Sequence, residues 1–432
     1  MRRIQWAVRA GMILLLASGA RSYGQATVSI EKELFITDLA VVNHPAEAMS
    51  ENGAFHIRTL LEAMAPTGKG AKDVMLSILG SWRDTSNPDL PARDIDGTII
   101  NPWKRWKPGA ASPSPETDPL PGDADWQVNW QKAPFRLLAI VNRIDLHKNP
   151  KIGNAGEGRF VFGLTDPLTG GPLQFTLILE YIQPAGSDFA IRQVAADWHA
   201  LGQHPAFNDG YVNALKTVTG KFSGRNAAPG RINGSAISQI RSNEVALAAP
   251  WELREFALAA PDSLPHPTTV KLTPHHALND TMALSFMMRR LGPNVSEALP
   301  ESTFDLRALT NSSDSFDWKA PGFAETDAIL RRFSVNTCNG CHGGDGKTGP
   351  DTPFLHVAPR AHGAAAKLSR FLSGTPPLTG IIDPGTGGPM TKNDLEARKT
   401  LFEQLIGVPL PVAADARAEL QAEEIERSVR VH

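Results

Sequence analysis

The sequence predicts an α+β fold in which an N-terminal mixed α/β domain, residues 27–310, precedes a small all-α domain, residues 324–432. Three observations support this prediction. Before residue 310, strand-like and helix-like patterns follow one another without strict alternation, which indicates an α+β arrangement with a mixed sheet. Residues 311–323 are polar and lack periodicity, as expected for a linker. Beyond them the pattern is mainly helical.

The composition is that of an ordinary globular protein. Of the 432 residues, 41% are hydrophobic and 20% are charged, which excludes a wholly disordered or fibrous chain. The net charge of −2 provides no basic field, so no nucleic-acid partner is expected. Only two cysteines occur, which excludes a disulfide scaffold.

Residues 1–26 have the three-part pattern of a secretory signal peptide. Arg2, Arg3 and Arg9 precede an apolar run at residues 10–20, and the small residue Ala26 follows. The run is about half of the roughly 20 residues that cross a bilayer, so no transmembrane anchor is expected. The mature protein is therefore predicted to be periplasmic or secreted.

The first half of the chain predicts helices and then strands. Residues 56–65 and 71–82 have amphipathic helical spacing, whereas residues 39–42 are predicted to be extended. Residues 135–144 are almost continuously apolar, which is typical of a strand buried on both faces. Turn-forming residues then separate two further strands, which predicts a hairpin over residues 159–182.

Further elements follow to the end of the chain. Helices are predicted at residues 189–201 and 207–222, and strands at 235–248 and 251–258. Leu284, Met288 and their neighbours mark another helix. In the C-terminal region the predicted helices are, in order, residues 364–372, 393–405 and 413–429.

The most informative stretch is Cys338-Asn-Gly-Cys341-His342, which has the spacing that attaches c-type haem. Two thiols three positions apart can each form a thioether with one vinyl group of a single porphyrin. The imidazole that follows can then bind the iron as the proximal ligand. Haem is attached after export, so the motif and the predicted signal peptide agree.

Other uses of the same residues remain open. A disulfide between Cys338 and Cys341 would close a short, strained loop. A thioredoxin-like redox pair is expected in a βαβ setting, and the surrounding pattern does not predict one. A zinc site needs four ligands, so His342 would require help from His356 and His362.

The residues around the motif resemble the cytochrome c family. A predicted helix at residues 324–333 runs into the motif, and a glycine-rich stretch at 343–350 follows it. The resemblance covers residues 326–409, about a fifth of the chain. It implies a small helical haem module, cytochrome c-like, that carries electrons.

In such a module a distal methionine usually follows the motif, and Met390 is the only methionine after it. His356 is the alternative distal ligand. A thioether ligand would raise the reduction potential of the haem, whereas a second histidine would lower it. Arg360 could pair with a haem propionate.

Two other groups of residues have both a structural and a functional interpretation. Four tryptophans could stack on a sugar or quinone ring, although packing is the commoner role; they are Trp103, Trp106, Trp126 and Trp130. Charged residues near predicted strand ends could bind a ligand or form ion pairs; they are Arg143, Asp145, Glu157 and Arg159.

Together these observations predict an exported c-type haem protein that transfers one electron at a time through one covalent haem. A redox partner protein is expected, and the larger domain is a candidate for an oxidoreductase activity that the haem would serve. The alternative is an exported binding or structural protein with zinc or a disulfide at the same cysteines.

Overall fold

The computed structural model describes residues 27–84, 92–147, 154–248, 251–260, 263–270, 275–291, 310–311, 318–324, 327–335, 337, 355–375 and 393–407. The predicted signal peptide and the predicted helix at 413–429 lie outside the described residues.

The predicted helices at 56–65, 71–82, 189–201, 207–222 and 393–405 are confirmed to within a few residues. The helices of the described residues are α1 (Leu39–Val42), α2 (Ile57–Met64), α3 (Ala71–Leu79), α4 (Asn101–Lys104), α5 (Asp188–Ala200), α6 (Asp209–Ser223), α7 (Met282–Leu291), α8 (Ala328–Val335), α9 (Arg370–Ser373) and α10 (Asp394–Gly407).

The predicted strands are also confirmed in position. The strands of the described residues are β1 (Phe35–Ile36), β2 (Phe135–His147), β3 (Ala155–Thr165), β4 (Pro172–Ile182), β5 (Ile237–Glu244), β6 (Leu253–Ala257), β7 (His266–Thr268) and β8 (Thr310–Asn311).

The turn between β3 and β4 confirms the predicted hairpin. The Asp166 carboxylate accepts hydrogen bonds from the backbone amides of Leu168 and Thr169 at 2.8 and 2.9 Å. Gly170 follows with φ +72°, a conformation that side chains disfavour. The hairpin therefore reverses here because its residues supply both the local acceptor and the left-handed backbone.

The sheet is antiparallel, so the predicted mixed sheet is wrong. Strands β1 to β7 pair in chain order, and β8 pairs with β6. Between β4 and β5 the chain forms α5 and α6, yet Tyr181 near the end of β4 pairs with Ile237 at the start of β5. A pair of helices returns the chain to the end of the sheet that it left, whereas a parallel neighbour requires a crossover to the opposite end.

One face of the sheet, the inner face, carries the main hydrophobic core. Phe160, Leu179 and Ile240 are neighbours across β3, β4 and β5 and are buried. Helices α2, α3, α5 and α6 cover them, with side chains such as Trp198 and Phe222 in the same core.

The opposite, outer face packs against the C-terminal segments. Val141 and Val161 of the sheet share a buried cluster with Val357, Leu372 and Leu395. The described C-terminal segments thus complete the sheet domain, and the predicted small all-α cytochrome c-like domain is wrong as a fold class. Helical periodicity at 393–405 was a correct indication of a helix, but periodicity does not indicate which surface the helix covers. The exact domain boundaries stay a prediction.

Two local predictions also fail. Residues 39–42 form α1 and not an extended segment, because the Asp38 carboxylate caps the turn by accepting the amide of Ala40 at 2.8 Å. Within 364–372, helix begins only at Arg370, since Leu368 pairs with Val357 in an antiparallel bridge.

Candidate functional site

The segment that leads into the cysteine motif is held by a small apolar cluster. Leu284 and Met288 of α7 pack with Leu330 and Phe333 of α8 around Trp318, and all are buried. The rings of Trp318 and Phe333 meet edge to face, with centroids 5.5 Å apart. The end of α8 therefore has a defined position.

Thr337, which precedes the first cysteine, is buried in the same region. Its hydroxyl accepts the indole N–H of Trp318 at 2.9 Å and donates to the carbonyl of Ser334 at 2.7 Å. The chain is thus anchored one residue before Cys338.

The motif itself, Cys338, Cys341 and His342, lies outside the described residues, and so does Met390. The chemistry of the donor set fits covalent haem, because two thiols and an adjacent imidazole are the groups that attach the ring and bind its iron.

His356 lies on the outer face of the sheet. Its Nδ1 is 3.1 Å from the hydroxyl of Ser369, and its carbonyl accepts the amide of Ser369 at 2.9 Å. The imidazole also packs against the Phe371 ring, with centroids 5.2 Å apart. The half-buried side chain is therefore held in a fixed orientation.

A cleft of about 50 Å³ lies beside His356. Its wall includes Val161, Ile178 and Arg159 from the sheet and Arg398 from α10. At roughly 10–15 Å³ per water, this volume holds a few water molecules. The described residues of the cleft do not by themselves form a space of porphyrin size, since small-molecule sites measure roughly 300–1,000 Å³.

Arg398 of α10 is buried in the wall of this cleft and pairs with Asp394 one turn earlier. Burial and the nearby positive charge of Arg143 lower the pKa of Arg398 to about 10, against the opposing effect of Asp394. Arg398 therefore still carries its charge at neutral pH.

The charged residues predicted near strand ends form ion pairs on the outer face. Arg143 binds Asp145 at 2.8 Å, and Arg159 Nε donates to Glu157 at 2.9 Å. Burial alone would raise the pKa of Asp145, but the charge and hydrogen bond of Arg143, together with the charges of Arg398 and Arg159, lower the pKa on balance. The ion-pair interpretation is thus confirmed for these residues.

The ion pairs of the outer face continue through residues that the sequence analysis did not identify. Glu180 lies 3.2 Å from Arg159 and 3.7 Å from Arg241, which in turn donates to Glu255 at 3.1 Å. Burial would raise the pKa of Glu180, but the charges of Arg159, Arg241 and Arg143 and the hydrogen bond from Gln239 together lower it. The sequence did contain one signal for these residues. Side chains alternate between the two faces of a strand, so charged residues at every second position of the predicted strands would share one face.

Arg360 binds the protein backbone. Its guanidinium donates to the carbonyl of Thr37 at 2.9 Å and lies 3.4 Å from that of Leu138. In this arrangement Arg360 ties the segment that contains the Val357–Leu368 bridge to β2 and to the residue that follows β1.

A second ionic cluster is buried where β5 ends and β6 begins. Glu252 lies between Arg93, at 2.8 Å, and Arg254, and Arg93 also pairs with Glu244. Burial raises the pKa of Glu244 to about 7, although Arg93 opposes the change. The Arg254 guanidinium covers the Trp82 ring at 4.6 Å, so the cluster joins the sheet to the helical layer.

The four tryptophans are packing residues, as the commoner interpretation predicted. Trp103 is fully buried, and the rings of Trp126, Trp130 and Phe135 meet it edge to face at 5.0, 5.6 and 6.0 Å. Trp106 is also buried and donates to the Pro167 carbonyl at 2.8 Å.

Within the described ranges, no group of three or more His, Cys, Asp or Glu side chains is arranged to hold a metal ion. Among those same residues, no helix combines the length and apolar character that crossing a membrane requires. Comparison of the chain with protein-family models, with curated proteins and with solved structures found no match.

Proposed function

We propose that this chain is an exported c-type haem protein that carries single electrons through one covalently attached haem. The observation that carries the proposal is the Cys338-Asn-Gly-Cys341-His342 motif. Cys338 and Cys341 hold the ring, and His342 binds the iron. When bound, the haem supplies one-electron transfer between its ferrous and ferric states.

The surroundings of the motif support this role. Before the motif, the hydrogen bond between Trp318 and Thr337 anchors the chain. After the motif, the segment that carries His356 is held by the contact of His356 with Ser369. A carrier with little rearrangement between its two redox states needs such anchoring on both sides. In this proposal the antiparallel domain holds the motif, and a redox partner protein exchanges the electron.

The proposed location is outside the cytoplasm, in the periplasm or beyond. Residues 1–26 supply the secretory pattern, and haem attachment to the two cysteines takes place after export. The two features are independent of each other and require the same compartment.

The distal ligand is proposed to be Met390 or His356. Separate Met390→Ala and His356→Ala variants distinguish them. Loss of the near-infrared methionine–iron band in the first variant assigns Met390, whereas a raised reduction potential in the second assigns His356.

The decisive experiment expresses the full chain in a host with a haem-attachment system and then denatures it. Covalent haem survives denaturation, so the expected result is a coloured band with haem absorption and peroxidase-type staining. A Cys338→Ala/Cys341→Ala variant should lose the colour. A His342→Ala variant should change the iron spectrum, whereas the exposed His362→Ala should not.

A colourless band from the unaltered chain would reject the proposal. Bound zinc or a disulfide at the two cysteines would then support the alternative of an exported binding or structural protein.

A further inference from the structure

Helix α7 carries apolar side chains on two faces, one buried and one exposed. Leu284 and Met288 pack into the cluster around Trp318, whereas Met282 and Phe286 are each 71% exposed. Among the described residues, Met282 and Phe286 are the two most exposed large apolar side chains, and they lie one helical turn apart. Single exposed apolar side chains are common, but these two adjoin and form one continuous apolar surface.

This surface continues into a positive charge. Arg290 is exposed and lies one further turn along α7 from Phe286. Residues four positions apart form a ridge on a helix, so Met282, Phe286 and Arg290 belong to one ridge, the α7 ridge. It is apolar at its start and cationic at its end, about 12 Å further along the helix axis.

Lys319 fixes the start of the α7 ridge. The Lys319 amide donates to the side-chain carbonyl of Asn279, and the Lys319 carbonyl accepts the amide of Asp280, both at 2.8 Å. Met282 follows Asp280 by two residues, which span at most about 7 Å. The backbone of Lys319 therefore determines where the ridge begins.

Trp318, the neighbour of Lys319, fixes the chain that enters the cysteine motif. Its amide donates to the hydroxyl of Ser334 at 3.0 Å, and its indole N–H donates to Thr337 at 2.9 Å. Thr337 directly precedes Cys338. Adjacent residues thus hold the start of the α7 ridge and the chain one residue before Cys338, so a group attached at Cys338 is tethered beside the ridge.

The haem of the proposed function matches the α7 ridge in polarity. The porphyrin ring is flat and apolar, and its two propionates lie on the edge opposite the vinyl groups that form the thioethers. From the thioether edge to the propionate edge, the group is therefore first apolar and then anionic. The ridge is first apolar and then cationic in the direction that leads away from Trp318, and a guanidinium is a strong partner for a carboxylate.

The small size of the ridge favours an attached group over a separate molecule. Stable interfaces between proteins bury at least about 1,000 Å², whereas the ridge consists of three side chains on a ten-residue helix. A tethered group needs little affinity of its own, because attachment keeps its effective concentration high. A second copy of the chain or a partner protein has no such advantage.

We propose that the α7 ridge packs against the attached haem, with Met282 and Phe286 on the ring and Arg290 paired with a propionate. This inference rests on the proposed function and adds to it residues outside the stretch 326–409 that resembles cytochrome c. The ridge excludes water from part of the haem. Since water stabilises the additional positive charge of ferric iron, its exclusion raises the reduction potential.

The test measures hydroxyl-radical oxidation of the full chain by mass spectrometry, with haem attached and in haem-free protein from a host without the attachment system. Met282 and Phe286 should be oxidised several-fold more slowly when haem is attached. Met288, which is buried on the other face of α7, should stay protected in both forms. Leu168, 42% exposed in the turn between β3 and β4, should react equally in both.

The reduction potential of the haem-loaded protein provides a second measurement. Phe286→Gln admits water to the ring, and Arg290→Gln removes a positive charge that disfavours ferric iron, so each should lower the potential. The matched controls are Leu168→Gln and Arg225→Gln, which replace an exposed apolar side chain and an exposed arginine elsewhere. Both controls should keep the potential of the unaltered protein.

Attached haem with equal oxidation of Met282 and Phe286 in the two forms would overturn this inference and leave the proposed function intact. Slow oxidation in both forms would show that another segment or a second copy covers the ridge, which also overturns it. Unchanged potentials in both ridge variants would do the same. Failure of haem to attach to the unaltered chain would reject the proposed function, and this inference with it.

Discussion

The imidazole of His199 lies 2.8 Å from the carboxylate of Glu33, measured from Nδ1 to Oε2. His199 is on α5, and Glu33 is buried in the short π-helical turn Ile30–Leu34. Phe402 of α10 packs edge-on against the same imidazole, with centroids 6.3 Å apart. His199 therefore connects the start of the described chain, through Glu33, with α10, through Phe402.

This pair predicts a stability term that weakens as the pH rises. The hydrogen bond to Glu33 raises the pKa of His199 above 6.5, although partial burial opposes it. Its contribution is fully present below the unfolded value of 6.5 and is lost as the pH rises through the folded pKa. His199→Gln should cost about 1 kcal/mol more at pH 5.5 than at pH 8.5, measured by urea unfolding. An equal cost at both pH values would contradict this assignment.

His56 predicts the opposite dependence on pH. Burial, together with the positive charges of Arg58 and Arg136, lowers the pKa of His56 from 6.5 to about 4. The contribution of neutral His56 to the free energy of unfolding is fully present above pH 6.5. It is lost as the pH falls towards 4, by about 3 kcal/mol in all. His56→Asn keeps a helix N-cap and should flatten the acid side of the stability curve. A variant curve parallel to that of the unaltered protein would rule the effect out.

Removing the central carboxylate of the buried ionic cluster should be strongly destabilising. Glu252→Gln leaves Arg93 and Arg254 without their shared charge partner, and we expect a loss of about 3–5 kcal/mol in the free energy of unfolding. The control is Lys221→Gln, which breaks the exposed pair with Asp197 and should cost less than about 1 kcal/mol. Similar losses in the two variants would show that the cluster contributes little.

Two leucines of α10 test whether this helix belongs to the sheet domain. Leu395 is 4% exposed in the outer-face cluster, whereas Leu401 is 44% exposed. Leu395→Ala should lower the free energy of unfolding by about 2–5 kcal/mol, and Leu401→Ala by much less. Unfolding would be followed by tryptophan fluorescence of the sheet domain. Equal, small effects would mean that α10 unfolds separately from the sheet.

Much of the secondary structure was predictable, because local periodicity reports it. The apolar run at 135–144 indicated β2, and helical spacing at 393–405 indicated α10. What failed was the placement of elements. The direction of β5 relative to β4 depends on the end of the sheet to which α5 and α6 return the chain. Periodicity carries no information about that end.

The candidate site was predictable only in part. The cysteine motif is recognisable because its spacing is set by covalent chemistry, although it lies outside the described residues. Arg143 and Asp145 bind each other directly. Because they are two positions apart on one strand, an ion pair between them could be foreseen from the sequence as one of two interpretations. The contact of Arg159 with Glu180 joins different strands and depends on register, which sequence patterns do not specify.

The backbone amide of Val28 donates to the carboxylate of Glu403 at 3.0 Å, across 375 positions of the chain. A polypeptide that emerges from the ribosome N-terminus first cannot form this bond until nearly all of it has been synthesised. The first described segment and the outer face of the sheet thus cannot complete their contacts until α10 has been synthesised, and contacts of such long range close slowly. Maturation of this protein is therefore a late event, and truncation before residue 393 should leave the outer face of the sheet without part of its apolar cover.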